Sequence, residues 1–276
     1  MLEVSRLYSF LDHKNGFNIH FLEGQKFIHD LALIHQVQGS GFAYFRDIIL
    51  GVMPAIFFLK PGDNLGIYID SEEPYFRLKI ETNYSGHTRT LLLPEEFNQF
   101  PMKLTGKARV TKSFANEKSP YTSIIDMNQL ETKEVLNQIF TQSYQTDSEI
   151  IVANICDQSM MITKLPAMNV NLHNNESISR DAYIKTNQHF FKDVFDSAHT
   201  DIEKIVKTFE DHGLAYLGSR QINYFCPCSK ERMVRNIIGL YGTDTHAALD
   251  GKEFLEVKCD YCHKAYKISE ADLKMN

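Results

Sequence analysis

The stretch that decides how the chain is organised is Tyr224-Phe-Cys-Pro-Cys-Ser-Lys-Glu-Arg232 together with Val257-Lys-Cys-Asp-Tyr-Cys-His-Lys-Ala-Tyr266. Each segment carries a close pair of cysteines, and two such pairs a few tens of residues apart are typical of a metal site. Four thiolates complete a tetrahedron around Zn²⁺ and favour zinc over magnesium or calcium. Such a site is closed to water and substrate, which suits a structural clamp better than a catalyst. The predicted zinc ligands are Cys226, Cys228, Cys259 and Cys262.

The residues between the pairs predict a small folded unit. Ser229 is placed to cap a helix that ends before Gly242. Its apolar face would consist of Met233, Val234, Ile237 and Ile238. Two short strands, Phe254 to Lys258 and Lys264 to Ile268, flank the second cysteine pair. A helix followed by a metal-tipped hairpin is therefore expected.

Other interpretations of these residues stay open at this point. The cysteines could be ordinary buried residues or could form disulfides. His246 and His263 could replace one of the sulfur ligands, although four sulfurs already complete a site.

Composition limits the classes of function. The net charge is −6, which disfavours a general role with nucleic acids or anionic membranes. Met1 to Leu11 lacks the pattern of a secretory signal, and the strongest apolar run, Ile48 to Leu59, is too short to span a bilayer. Together with a closed thiolate site, these features predict a protein of the reducing cytosol.

Residues 1–168 predict a mixed α+β domain with few helices. Apolar spacing indicates helices at Gln25 to Gln38, Phe42 to Phe58 and Glu131 to Gln145, with Gly39-Ser40-Gly41 as a break. A membrane-facing helix is the alternative for Phe42 to Phe58. Alternation of period two predicts the strands. They are Met1 to Leu11 (an arm or first strand), Phe17 to Leu22, Leu65 to Asp70, Tyr75 to Thr82, Thr88 to Leu93, Leu104 to Thr111, Tyr121 to Met127, Ile150 to Cys156 and Met160 to Leu165.

Residues 169–222 predict a helical linker. Asn169 to Asn187 has the polar composition of a connector. A short helix is expected at His189 to Ala198, and a second would open at Thr200 with a capping box to Glu203 and end at Gly213. Short helices are marginal without docking, so this segment is either plain domain packing or a metastable region that depends on residues 223–276.

Catalytic constellations are missing from the sequence pattern. There is no P-loop and no Gly-x-Ser-x-Gly nucleophile elbow. The scattered histidines favour surface or satisfied groups, and Cys156, on a predicted apolar strand, is expected to act as a small hydrophobe. We therefore expect a protein that is not an enzyme.

The cysteine segments also carry a family resemblance. Cys226 to Arg232 (Cys-x-Cys-Ser-x-Glu-Arg) and Val257 to Tyr266 (Val-x-Cys-x-x-Cys-x-x-x-Tyr) resemble the C-terminal domain of the heat-shock protein 33 family of redox-regulated holdase chaperones. Upstream, Gly86 to Arg89 followed by Pro94, Thr141 to Gln145, and Leu165-Pro166 resemble family segments in the same order. Tyr144 stands where glutamate is usual, and the Gly-Gly pair before Leu-Pro is absent.

The resemblance implies a mechanism and a domain plan. Oxidation would release zinc, form the disulfides Cys226–Cys228 and Cys259–Cys262, and unfold the linker, so that apolar surface binds unfolding client proteins without ATP. Residues 1–168 would bind clients and form a homodimer, 169–222 would be the linker, and 223–276 the redox switch.

Another class of function is a zinc-ribbon adaptor that binds nucleic acid or a protein partner without redox switching. It would need a basic or aromatic surface near the zinc. Residues 221–276 carry eight Lys or Arg and eight Asp or Glu, a balance that does not favour nucleic acid.

Overall fold

The computed structural model describes residues 2–117, 119–166, 178–242 and 245–274. The chain divides into two compact units, Met1–Tyr224 and Phe225–Asn276. The N-terminal unit consists of two sheets and several helices, which is the predicted α+β class. The C-terminal unit is a small helix-and-hairpin fold that carries the four clustered cysteines.

One sheet of the N-terminal unit has five antiparallel strands in the order β10-β1-β2-β9-β8. Its strands are β1 (Arg6–Asp12), β2 (Phe17–Glu23), β8 (Ser148–Val152), β9 (Gln158–Lys164) and β10 (Ala215–Gln221). Because β10 pairs with β1, the sheet joins segments that are about two hundred residues apart in the chain. The end of the N-terminal unit is thus built into the sheet that its beginning forms.

The other sheet has six strands in the order β11-β5-β4-β3-β6-β7, and only the β11–β5 pair is parallel. Its strands are β3 (Asn64–Glu73), β4 (Tyr75–Asn83), β5 (His87–Leu93), β6 (Leu104–Ser113), β7 (Tyr121–Leu130) and β11 (Asn223–Tyr224). The long strands alternate buried and accessible residues, as expected for a sheet with one face on the core.

The main core combines one face of each sheet with helices α1 (Gln25–His35), α2 (Gly39–Val52) and α3 (Thr132–Gln138). A 3₁₀ segment, Met53–Phe58, continues α2. By length and composition, Gly39–Phe58 could cross a membrane, but most of its residues are buried inside the protein, and core helices pass the same test. Burial against the two sheets accounts for its apolar sequence.

A second core lies on the opposite face of the five-stranded sheet, under helices α4 (Arg180–Ser197) and α5 (Ile202–Asp211). The sheet contributes Tyr8, Phe10, Phe17, Ile19, Phe21, Met160 and Ile162. The helices contribute Tyr183, Phe191, Val194, Phe195, Ile205 and Phe209. We call these seven side chains of the sheet the covered face; it is strongly aromatic.

Several element predictions were wrong in detail. Cys156 lies in the turn after β8 and not on a strand, and Gly39–Gly41 begins α2 instead of only separating two helices. The second linker helix is capped by Asp201, whose side chain accepts from the Lys204 backbone, so the capping box from Thr200 does not form. Helix α4 is also longer than predicted, and 215–221, inside the predicted helical linker, forms β10. Of the predicted connector, Asn169 to Asn187, residues 169–177 lie outside the described part of the chain, and residues 180–187 are not a connector because they form the first half of α4.

The C-terminal unit contains α6 (Lys230–Tyr241), α7 (Thr245–Leu249), the antiparallel hairpin β12 (Phe254–Lys258) and β13 (Ala265–Ser269), and α8 (Glu270–Lys274). The predicted helix and hairpin are confirmed. Its core is small among the described residues: the buried members are Val234, Ile237, Ala248, Leu249, Ile268 and Leu273.

Candidate metal centre

The first cysteine pair is positioned by the start of α6. Ser229 caps this helix, with its hydroxyl accepting from the Arg232 backbone at 3.3 Å. The Arg232 guanidinium reaches back and donates to the Pro227 carbonyl at 3.0 Å. Both contacts fix the turn that holds Cys226 and Cys228 on either side of Pro227, so the Cys-x-Cys-Ser-x-Glu-Arg pattern is a local folding unit.

The second pair sits in the loop of the β12–β13 hairpin. The Cys259 backbone donates to the Lys264 carbonyl at 3.0 Å, and the His263 backbone donates to the Cys259 carbonyl at 2.8 Å. His263 has a φ of +57°, a left-handed conformation that closes the loop tightly. The result is a short knuckle that brings Cys259 and Cys262 to one side.

The four cysteines converge on one point. Their sulfur atoms all lie within 4.8 Å of one another. Sγ of Cys226 is 3.8 Å from that of Cys259, and Sγ of Cys228 is 3.2 Å from that of Cys262. All four are free thiols. A tetrahedron with metal–sulfur bonds of about 2.3 Å has sulfur–sulfur edges of about 3.8 Å, so the arrangement fits a tetrahedral metal ion.

Hydrogen bonding and burial give Cys226, Cys228 and Cys262 different pKa values. Burial acts to raise the pKa of Cys228, but hydrogen bonds from the Tyr266 hydroxyl, at 3.1 Å, and from neighbouring thiols outweigh it and lower that pKa to about 7. Burial raises the pKa of Cys226, and it raises that of Cys262 to about 12. Cys228 therefore ionises before Cys226 and Cys262, and a metal cation would favour ionisation of those two.

The other candidate residues are the two histidines His246 and His263 and the isolated cysteine Cys156. His263 does not belong to the cluster of ligand atoms, which among the described residues contains only the four cysteines, and the side chain of His246 lies outside the described part. Cys156 is half-buried near Gln158 and the Phe195 carbonyl, and burial raises its pKa to about 11. It stays a protonated thiol at neutral pH.

Sequence reasoning missed Tyr266 as a member of the site. Tyr266 belongs to the buried face of β13, in register with Val257 of β12, and its hydroxyl reaches Cys228. The period-two alternation of the hairpin places it on the same face as Ile268, so the inward direction was predictable. The hydroxyl contact was not, because it depends on how α6 packs on the hairpin.

Comparison with known proteins gives the family. The model described as "Hsp33 protein" matches residues 5–269. The chain belongs to the Hsp33 family. Curated relatives named "33 kDa chaperonin" include that of Agathobacter rectalis, 24% identical over 160 residues and covering 57% of this chain and 56% of that protein. That of Thermosipho melanesiensis is 22% identical over 242 residues and covers 82% of this chain and 83% of that protein.

A solved structure gives the same fold for this Hsp33 family member. The crystal structure of the 33 kDa chaperonin from Thermotoga maritima aligns with a TM-score of 0.70 at 14% sequence identity. The alignment covers 99% of this chain and 97% of that one. At this identity the structural likeness establishes the fold. The sequence alignment with the Agathobacter rectalis protein spans little more than half of that relative's length.

Proposed function

We propose that this chain is a redox-regulated, ATP-independent holdase chaperone that is zinc-bound and inactive when reduced. The observation that carries the proposal is the convergence of four free thiols within 4.8 Å in a chain of the Hsp33 family. The relatives' name, 33 kDa chaperonin, supports the chaperone class. The metal and its release are inferred from the chemistry of the sulfurs.

Zinc would be held by Cys226, Cys228, Cys259 and Cys262. Bound there, zinc supplies a cross-link between the start of α6 and the tip of the β12–β13 hairpin. A unit of about fifty residues with a small core supplies only about 3–5 kcal/mol from burial. Structural zinc contributes about 10–16 kcal/mol in peptide models. The metal term is the larger one, so loss of zinc should unfold the C-terminal unit.

The same thiolates are the target of an oxidant. With hydrogen peroxide, each pair of cysteines gives up two electrons, one S–S bond forms, and the peroxide is reduced to two waters. Two equivalents of peroxide and four protons therefore convert four ligating thiolates into two disulfides and free Zn²⁺. The family resemblance implies the pairs Cys226–Cys228 and Cys259–Cys262. Disulfide sulfurs carry no charge, so they no longer hold the cation.

Unfolding of the linker would then expose a client-binding surface. Helices α4 and α5 hide the covered face, where Phe209 of α5 stacks on Phe10 with ring centroids 4.1 Å apart. The chain runs from α5 through β10 and β11 directly to Cys226. Departure of the helices would present a large aromatic patch, of the kind that binds other proteins. Client proteins that are unfolding expose complementary apolar surface.

The domain plan of the proposal assigns residues 1–168 to client binding and homodimerisation, 169–222 to a metastable linker and 223–276 to the switch. A reducing cytosol keeps the thiolates available for zinc.

Light scattering coupled to size-exclusion chromatography tests the dimer, which should have twice the 31.8 kDa mass of the chain.

Aggregation of a heat-labile client, followed by light scattering, tests the function. Reduced, zinc-loaded protein is compared with protein treated with peroxide at elevated temperature, in the absence of ATP. We expect suppression only after oxidation. Equal suppression in both states would remove the redox switch, and no suppression in either state would remove the chaperone activity.

A further inference from the structure

Strand β10 carries one cationic residue, Arg220, whose side chain contacts a different part of the N-terminal unit. Its guanidinium donates to the carbonyl of Ile56 at 2.9 Å and to that of Leu59 at 3.3 Å. These carbonyls lie at the end of the 3₁₀ segment Met53–Phe58, where a cation is favoured. The Ile56 carbonyl also accepts from the Leu59 backbone at 3.0 Å, so Arg220 is a second donor to it. Arg220 therefore caps a helix end that belongs to a different part of the fold.

Aromatic rings complete the receptor for this cation. The guanidinium carbon is 4.3 Å from the ring centroid of Tyr84 and 5.6 Å from that of Phe57. A planar guanidinium suits both the rings and the two carbonyls, whereas an ammonium group would satisfy fewer of these contacts. Among the described residues, no carboxylate lies within ion-pair distance of Arg220, so its partners are carbonyl dipoles and ring faces.

Apart from Arg220, β10 is held by its ladder to β1 and by the packing of Tyr216 on Phe10. It is an edge strand of mostly half-buried residues, Gly218 has a φ of +131°, and the pairing with β1 shifts register between Ser9 and Phe10. An irregular edge strand with little buried apolar surface has low local stability. The contacts of Arg220 therefore stand out as specific anchors of this strand.

The strand ends in a tight fit immediately before the cysteines. The Ile222 backbone donates to the Ser5 carbonyl at 2.8 Å, and the Asn223 backbone donates to the Gly86 carbonyl at 3.1 Å. A Cβ atom on Gly86 would lie 1.9 Å from the Gln221 carbonyl oxygen, so only glycine allows this approach. The chain continues from here to Cys226.

We propose that Arg220 is the positioning residue that keeps the segment before the cysteines docked, and that its withdrawal from the Ile56 and Leu59 carbonyls frees β10 and α5 from the five-stranded sheet. The proposal rests on the proposed function, because it names the contact that restrains the linker. It makes the reduced protein's inactivity depend on a site within the N-terminal unit in addition to the thiolates.

The test uses full-length, reduced, zinc-loaded protein in three forms: wild type, Arg220→Met and Arg220→Lys. The control is Arg77→Met, which removes a half-exposed arginine on the six-stranded sheet. Hydrogen exchange measured by mass spectrometry reports on Ala215–Gln221, and client aggregation reports on activity without peroxide. Zinc content is measured in every sample.

We expect Arg220→Met to raise exchange across β10 by roughly 10- to 100-fold, since two charge-assisted hydrogen bonds and the ring contacts are lost. Reduced Arg220→Met should keep its zinc yet suppress part of the aggregation, Arg220→Lys should lie between it and wild type, and Arg77→Met should match wild type. A destabilised C-terminal unit would lose zinc, so it would not explain variants that keep zinc and show an activity that is intermediate in Arg220→Lys and higher in Arg220→Met.

Two results would overturn the proposal. One is unchanged exchange at β10 in Arg220→Met. The other is faster exchange without any gain of activity in the reduced state, while peroxide-treated wild type is active. If peroxide-treated wild type is itself inactive, the proposed function fails, and the exchange measurement alone then decides whether Arg220 holds the strand.

Discussion

Replacing Phe209 by alanine should release α5 from the covered face and partly activate the reduced protein. Phe209 is fully buried, stacks on Phe10 with an angle of 8° between the rings, and meets Phe190 edge-on at 5.5 Å. Truncating a buried phenylalanine costs about 3–5 kcal/mol. Helix α5 has ten residues, and only Ile205 and Phe209 are buried, so most of its docking energy is removed. At about 1.4 kcal/mol per decade, the undocked population should rise by a factor of roughly 100 or more.

The assay combines hydrogen exchange of Ile202–Asp211 with client aggregation, both on reduced, zinc-loaded protein. Phe76→Ala is the matched control, because Phe76 is equally buried but belongs to the main core under the six-stranded sheet. It should lower the stability of the N-terminal unit without specifically exposing the covered face. If Phe209→Ala exchanges rapidly at α5 yet stays as inactive as the reduced wild type, the covered face is not the client surface.

Three further predictions concern the thiols and pH. Cys228→Ser should weaken zinc binding by roughly 100-fold, since about 10–16 kcal/mol is shared among four thiolates, whereas Cys156→Ser should leave it unchanged; competition with a chromogenic chelator measures both. Tyr266→Phe removes the hydroxyl that donates to Cys228. A zinc-bound sulfur is already a thiolate, and a hydrogen bond lowers its nucleophilicity, so peroxide should release zinc several-fold faster in stopped-flow experiments; an unchanged rate would contradict this. Burial and the charge of Arg220 lower the pKa of His20 to about 3, below its ordinary 6.5. As the pH falls, His20 is therefore protonated in the unfolded chain before it is protonated in the folded one. The free energy of unfolding should fall by about 2 kcal/mol from pH 7 to pH 5. Burial raises the pKa of Glu23 to about 7, which gives the opposite trend in the same range, so the effect of His20 is read as the difference between wild type and His20→Phe in urea unfolding at both pH values.

The C-terminal unit was predictable because its determinants are local. Ser229 caps α6 and Gly242 ends it, as their residue types indicate. The alternation around the second cysteine pair specifies a hairpin whose loop is fixed by contacts between Cys259, His263 and Lys264. Each of these features depends on residues a few positions apart, so a single sequence carries the information.

The parts that were missed depend on partners distant in the chain. β10 has little alternation of its own and becomes a strand because β1 offers it an edge. Arg220 gives no sign in the sequence that its partners are the carbonyls of Ile56 and Leu59, about 160 residues earlier. Gly41 belongs to the predicted break between two helices, yet it lies inside α2, where the Phe97 carbonyl oxygen would be 2.0 Å from a Cβ. Such close approaches arise only in the assembled fold.

The most direct measurement combines zinc quantitation with hydrogen exchange of residues 225–274 before and after peroxide. We expect one zinc ion per reduced chain, slow exchange in β12 and β13, and loss of both the metal and the protection once four thiols are oxidised. A reduced protein that contains no zinc and still protects this hairpin, or an oxidised one that releases zinc and stays protected there, would contradict this expectation.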